Sequence, residues 1–492
     1  MVVNKIIVLG GGSAGFMAAM ALKAKLPALE VLVIRSKDIG IIGVGEGSTV
    51  ALTRFLREYL KVGMKKFHEV AQPTWKIGLR FLWGPRPEFH YTFGAGMEAK
   101  YDDLPKGKGY YCHDDDQYAD LYSAMMTHDK AFERAGMGPR MHDAFSYHFE
   151  NEKFVQFLEG YAVALGVRTL DDTVLEVRQN EAGIAGLLLK GGQTESADLY
   201  VDSSGFASLL LGKTLGEPFI PFKSSLFCDR AVAGGWDRTD EIIKPYTTCE
   251  TMNAGWCWQI EHINRIIRGY VYASDFISDE AAEREFRENN PKAVKTRVIK
   301  FISGRYQRCW VKNVVAVGNA CGFVEPLEAT ALGVIAMQSR LLADMLLDCD
   351  RQPRPTQEAN YNDYHARNWD SIRGFIAVHY KYNTRLDTPF WRACRADTVL
   401  GRAEPIVEYY RENGPSSMWQ PTLFDEFDQF KMGGYASMLV GMKVPYQRTH
   451  APSDAELKIW EAKRRRFKEA AIKAMTVKEA LGVISSAKWR WA

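Results

Sequence analysis

The chain opens on an apolar run that does not alternate. Residues 5–9 read Lys-Ile-Ile-Val-Leu, the pattern of a strand buried on both faces. Residues 10–15, Gly-Gly-Gly-Ser-Ala-Gly, predict a turn. Residues 16–26 are rich in Met, Ala and Leu and predict a helix. Val-Leu-Val-Ile at 31–34 predicts a second strand. Strand, glycine turn, helix, strand is a βαβ unit.

Further along, 76–110 mixes aromatics and glycine with Pro85, Pro87 and Pro105, which predicts loops and strands. Residues 102–117 carry charges and glycine and predict a mobile loop. A helix is expected over 150–165, then a strand pair at 174–177 and 184–189. Residues 199–202 predict a short strand and 220–275 a mixed sheet, followed by a charged helix at 280–289. A buried strand at 314–317 precedes a helix at 332–347, after which helical patterns dominate. The amphipathic stretch 454–475 carries Lys463-Arg464-Arg465-Arg466, expected to be a solvated face.

Composition changes this picture little. With 492 residues, 46% hydrophobic and 25% charged, the chain is an ordinary globular protein, long enough for about two to four domain-sized units. A net charge of +3 is too mild to point to nucleic acid. The eight cysteines form no CxxC pair and no zinc-spaced cluster, so no metal is expected and the thiols read as free and buried. The first apolar run lacks a basic lead and is too short for a signal peptide. No apolar stretch approaches the length of about 20 residues that spans a membrane. These features predict a soluble, cytoplasmic protein.

Gly10, Gly12 and Gly15 give GxGxxG between strand and helix. The first permits the tight turn, the second admits a pyrophosphate to backbone amides, and the third lets helix and strand pack. With Ser13 and Ala14 they are candidate cofactor residues. An acid is expected at the end of the second strand to accept from a ribose. Arg35 stands there instead and can only donate. Glu46, in Gly43-Val44-Gly45-Glu46-Gly47, is a substitute acceptor. Gly318 and Asn319, after the strand at 314–317, are candidates for a second contact with the same cofactor. No second GxGxxG has its own βαβ context, so one dinucleotide is expected.

Four segments then come together: the glycine turn, Trp75-Lys76-Ile77-Gly78-Leu79-Arg80-Phe81, Trp256-Cys257-Trp258-Gln259-Ile260, and Gly318 to Thr330 with Pro326-Leu327-Glu328-Ala329-Thr330. They resemble the flavin-dependent halogenases of the tryptophan halogenase family. The resemblance extends to Asp202-Ser203-Ser204-Gly205-Phe206, Gly269 to Ser274, Phe301 to Arg305 and Phe375 to Tyr380. It implies a mixed α/β fold, a Rossmann-like FAD-binding flavin monooxygenase fold of the GR2 type. Residues 1–350 would hold FAD and an inserted substrate-side sheet, and 351–492 a helical region covering the substrate.

The resemblance makes Lys76 the catalytic lysine and Glu328 the catalytic glutamate. Reduced FAD, O2 and halide would yield hypohalous acid. Lys76 would hold it by hydrogen bond or as a haloamine, and Glu328 would orient that species or accept the ring proton. Trp256, Trp258 and Ile260 would wall the flavin face. Thr330 and Ala331 lie where the family's backbone amides hold halide. Three departures stand out. Glu261 replaces the proline that usually follows WxWxI, and Ala329 and Ala331 replace the serine and glycine of FxxPxxSxG. The altered loop would favour a larger halide. The expected substrate is an electron-rich indole or phenol. The expected partners are a separate flavin reductase supplying FADH2 and, as candidate assembly, a homodimer, with no nucleic acid and no membrane. The rival readings are a hydroxylating flavin monooxygenase and a flavin-binding protein without halogenation.

Overall fold

The computed structural model describes every residue except 1, 41–44, 95–102, 106–110, 113–116, 142–143, 416–422, 448–449, 487 and 492. The chain forms two compact units, each of three segments. The first takes 1–72, 149–222 and 301–369, and the second takes 73–148, 223–300 and 370–492.

The first unit is built on a six-stranded sheet. Its order is Arg168–Asp171, Glu30–Arg35, Lys5–Leu9, Leu199–Asp202, Val314–Ala316, Trp310–Val311. All neighbours are parallel until the last, which is antiparallel. Ile6, Ile7 and Val8 are wholly buried, as the unbroken apolar run requires. The helix Ser13–Lys25 starts three residues earlier than its composition suggests, so Ser13, Ala14 and Gly15 form its first turn. Its residues Phe16 to Leu22 are fully buried. The small ones among them let the helix Ala331–Asp348 pack directly on it. A hairpin, Val174–Asn180 with Gly183–Leu189, and the helix Asn151–Ala164 complete the expected elements.

The second unit holds a seven-stranded sheet, in order Thr296–Lys300, Arg230–Asp237, Arg265–Tyr272, Gly255–Glu261, Tyr246–Met252, Gly78–Leu82, Phe89–Thr92. Only Tyr246–Met252 with Gly78–Leu82 is parallel. The expected mixed sheet over 220–275 is therefore present and recruits strands from 78–92. The helix Asp279–Asn289 follows the sheet's middle strands. Helices Pro389–Asp397, Glu404–Asn413, Lys431–Gly441, Asp454–Lys473 and Val477–Ile484 belong to this unit.

On the helix Asp454–Lys473 the basic run departs from a solvated face. Lys463 pairs with Asp103 at 3.2 Å and Arg464 donates to the carbonyl of Gln117 at 3.0 Å. Their side chains are only 13% and 14% exposed, because this face packs on other chain segments. Arg465 and Arg466 are exposed. The mobile loop expected over 102–117 lies mostly outside the described residues.

Candidate active site

Register brings the cofactor candidates of the first unit to one edge. Leu9 lies beside Ile34 on one side and Asp202 on the other, and Asp202 lies beside Ala316. At the ends of these strands stand Gly10, Arg35, Ser203 and Val317-Gly318. The carboxyl ends of parallel strands are where such sheets bind ligands.

The glycine loop is shaped for a close guest. Gly10 has φ +122°, and a Cβ there would collide with the Ser203 carbonyl. Gly15 would collide with the Gly10 carbonyl. A Cβ at Gly12, by contrast, would meet nothing within 4 Å. Gly12 is the N-cap of Ser13–Lys25, with no side-chain cap and no acid in the first turn. Among the described residues no side chain caps this helix start, and its N–H groups and positive end are of the kind that binds anions such as phosphates.

The loop is buttressed from below. Ser203 Oγ donates to the Leu9 carbonyl at 2.8 Å. Asp202 is wholly buried and accepts four hydrogen bonds, from Ser204 N (3.1 Å), Ser204 Oγ (2.6 Å), Leu210 N (2.8 Å) and Leu211 N (2.9 Å). Burial still pushes its carboxyl up from the usual range, against those bonds. Gly318, with φ +61°, lies against Ala14 and Ile335, and its N–H donates to Gln338 Oε1 at 2.8 Å. Asn319 follows in the 3₁₀ turn Gly318–Ala320 and is half-buried.

Arg35 is committed to an ion pair, its Nη2 2.6 Å from Glu159 Oε1. Glu46 Oε1 accepts from Asn151 Nδ2 at 2.8 Å, while Asn151 Oδ1 takes the Gly45 N–H at 3.1 Å. Desolvation pushes Glu46 up to about 7, outweighing the Asn151 hydrogen bond. Its predecessors Gly43 and Val44 lie outside the described residues.

Glu328 closes the 3₁₀ turn Pro326–Glu328 and is 1% exposed, with Glu325 at 0%. Ala329 follows at φ +52°, a left-handed position for a residue with a Cβ. Thr330, buried, is the N-cap of Ala331–Asp348, while Ala331 is exposed. This helix too has no side-chain cap and no acid in its first turn, leaving its amides available to an anion.

Lys76 belongs to the second unit and is 0% exposed. Its strand Thr74–Lys76 pairs antiparallel with Ser146–Phe149, Lys76 facing Ser146 and Thr74 facing His148. Its Nζ lies 5.2 Å from the centroid of the Phe93 ring, a cation–π distance. His148 accepts or donates at Thr247 Oγ1 over 2.8 Å. Burial, and then the charge of Lys76, hold His148 well below its usual pKa, so the imidazole stays neutral.

Trp256, Trp258 and Ile260 share a face of Gly255–Glu261, at 0%, 5% and 7% exposure. Trp256 enters an aromatic core, 6.5 Å from Trp83 and 6.0 Å from Trp258 between ring centroids. Trp258 lies over Gly269, where a Cβ would collide with the indole at Cζ2 and Cη2. Its Nε1 is buried with no hydrogen-bond partner among the described residues. A buried indole N–H ordinarily finds an acceptor, so this donor is available to a ligand.

Four residues not singled out as site residues support the ones that were: Asp202, Ser203, Gln338 and Asn151. Asp202-Ser203 has a visible signal, a polar pair ending an apolar strand. Gln338 and Asn151 have none, since each is a lone amide within a helix.

Among the described residues no cluster of His, Cys, Asp and Glu is suited to a metal. No helix among them is long and apolar enough to cross a membrane. The model of the tryptophan halogenase family matches residues 5–456. A tryptophan 6-halogenase of Streptomyces albogriseolus is 31% identical over 457 residues, 85% of this chain and 83% of the relative. The crystal structure of MibH, a lathipeptide tryptophan 5-halogenase, is similar with a TM-score of 0.86 and 35% identity, over 98% of this chain and 93% of that one. BrvH, a flavin-dependent halogenase from Brevundimonas sp. BAL3, is similar with a TM-score of 0.84 and 25% identity, over 98% and 99%.

Proposed function

The chain belongs to the tryptophan halogenase family, and on that premise we propose that it halogenates an electron-rich aromatic ring with reduced FAD, O2 and halide. The observation that carries the reading is a lysine at 0% exposure, Lys76, in a chain this family matches over residues 5–456. Lysines are almost never fully buried unless paired, and withdrawing an ammonium from water costs several kcal/mol, which makes this lysine a candidate for the chemistry.

The residues fit FAD. The amides after Gly12 would take its pyrophosphate, and Gly318 and Asn319 would line the same strand ends. Glu46, partly protonated near neutral pH, would donate as well as accept there. Trp258 Nε1 would meet an acceptor on the cofactor or substrate. Reduced FAD with O2 would supply the oxidising equivalent that converts halide into hypohalous acid. Halide would rest at the free amides of the helix begun by Thr330 and Ala331.

Lys76 would fix the electrophilic halogen by hydrogen bond or as a haloamine. Its apolar surroundings, Trp75 and Ile77 at 0% exposure and the Phe93 ring, exclude the water that would let hypohalous acid escape. Glu328, equally withdrawn from solvent, would take the ring proton or orient the reagent.

The single glycine loop implies that FADH2 comes from a separate reductase. Two of these relatives are named as tryptophan halogenases, one of them as a lathipeptide enzyme. The proposed substrate is accordingly an indole, free or within a peptide, with phenols second. We place the reaction in the cytoplasm.

The test supplies FAD, NADH, a generic flavin reductase and air, with chloride, bromide and iodide offered separately to indoles, tryptophan peptides and phenols. Mass spectrometry should show a halogenated product that disappears in Lys76→Ala, with bromide or iodide preferred over chloride. Comparable rates with all three halides would remove the larger-halide proposal. A hydroxylated product without halogen would make the protein a monooxygenase.

A further inference from the structure

We infer that the buried ion pair Arg238–Glu261, acting through Thr74, is the positioning device for Lys76; this rests on the halogenase reading. The strand that carries Lys76 is three residues long, too short to fix a long side chain by its ladder alone. Its two flanks are pinned. After the lysine, Ile77 N donates to Pro245 O at 2.8 Å and Ile77 O accepts from Phe93 N at 2.8 Å. Before it, Thr74 Oγ1 donates to the backbone carbonyl of Glu261.

That carbonyl is itself held still. Glu261 Oε2 lies 2.6 Å from Arg238 Nη2, and Oε1 accepts from Gln259 Nε2 at 2.7 Å. The side chains of Arg238 and Glu261 are 7% and 1% exposed. Arg238 uses its remaining donors on backbone. Nε and Nη2 reach His262 O at 3.2 and 2.9 Å, and Nη1 reaches Glu241 O and Ile242 O at 3.1 and 3.0 Å. One guanidinium thus locks the turn after the Trp256–Trp258 strand, and that turn locks Thr74.

A buried ion pair is a weak source of stability, since apolar residues often replace it without loss. What it does confer is a fixed geometry. Lys76, Thr74, Ser146 and His148 share one face of their ladder, because directly paired residues project to the same side. Neutral His148 therefore stands diagonal to the lysine and adds no second charge. Glu261 occupies the place where the resembled motif carries proline, so this anchor belongs to this chain. Misplacing a reacting group by about 1 Å costs about 100-fold.

The test measures coupling, the halogenated product formed per FADH2 oxidised, with a soluble β-diketone trapping any hypohalous acid that escapes. Thr74→Val removes the hydroxyl and leaves the ion pair whole, whereas Thr74→Ser keeps it. Glu261→Gln breaks the pair. We expect Thr74→Val and Glu261→Gln to lose about 10- to 100-fold in coupling, with trapped halogen rising, flavin binding unchanged and Thr74→Ser near wild type. The double variant Glu261→Leu/Arg238→Met should recover thermal stability and stay uncoupled. Wild-type coupling in Thr74→Val and in a folded Glu261→Gln would overturn the inference. A wild-type protein that binds flavin and halogenates nothing would instead remove the reading on which it rests.

Discussion

Gly318 stands against Ala14: a Cβ built on the glycine would lie 3.0 Å from that of the alanine. One contact therefore joins the glycine loop at the start of the chain to the late segment that leads to Glu328. Gly318→Val places a branched side chain at φ +61° and into this contact. The backbone alone costs about 1–2 kcal/mol. At least tenfold weaker FAD binding is expected in a fluorescence titration, with an intact far-ultraviolet spectrum. Unchanged affinity would mean that the late segment does not line the cofactor site.

Glu46 should make stability depend on pH. Its carboxyl moves from 4.5 to about 7 on folding. The folded state therefore binds the proton more tightly. Its contribution is fully present below pH 4.5 and is lost as pH rises through about 7. The size is at most about 3 kcal/mol, and less because part of the residue faces solvent. Glu46→Gln should melt higher than wild type at pH 8 and equally at pH 4.5. A difference independent of pH would contradict the assignment.

Arg35 should matter little to the cofactor. Its guanidinium is engaged by Glu159, and both side chains are 24% exposed. Such a pair contributes about 0.2–1 kcal/mol. Arg35→Ala is expected to lower FAD affinity less than tenfold in the same titration. A larger loss would show that Arg35 leaves Glu159 to meet the adenosine half of the cofactor.

Gly269→Ala should disturb Trp258 directly, because the new methyl carbon would collide with the indole Cζ2. Overpacking of this kind costs about 1–3 kcal/mol. Denaturant melts should show that loss, and tryptophan emission should shift with Trp258 displaced. If that indole walls the reaction chamber, trapped hypohalous acid should rise as well.

Much of the fold is legible in the chain. Val-Leu-Val-Ile and Lys-Ile-Ile-Val-Leu form buried parallel strands because their apolar positions do not alternate. GxGxxG is readable because each glycine has a steric task, and Gly10 and Gly15 do leave no room for a Cβ. Less legible is whatever depends on distant partners. Gln338 looks like any helical amide until Gly318 donates to it. Asp202 likewise reads as the polar end of a strand, and its four hydrogen bonds come from the segment after it only once the chain turns back. Glu261 shows in the sequence as a departure from a motif, yet its partner Arg238 has no signal of its own. The basic run at 463–466 misleads because a pattern on one helix does not say what packs against it.

The order of the central sheet also bears on how the protein is made. Lys5–Leu9 leaves the ribosome early, but its neighbour Leu199–Asp202, and that strand's own neighbour Val314–Ala316, come much later. Ser203, which secures the first glycine loop, is absent until more than a third of the chain is synthesised. The nascent apolar strands must therefore wait with unpaired edges, exposed to aggregation. This polypeptide should depend on chaperones during translation, and a messenger truncated before codon 316 should yield insoluble product.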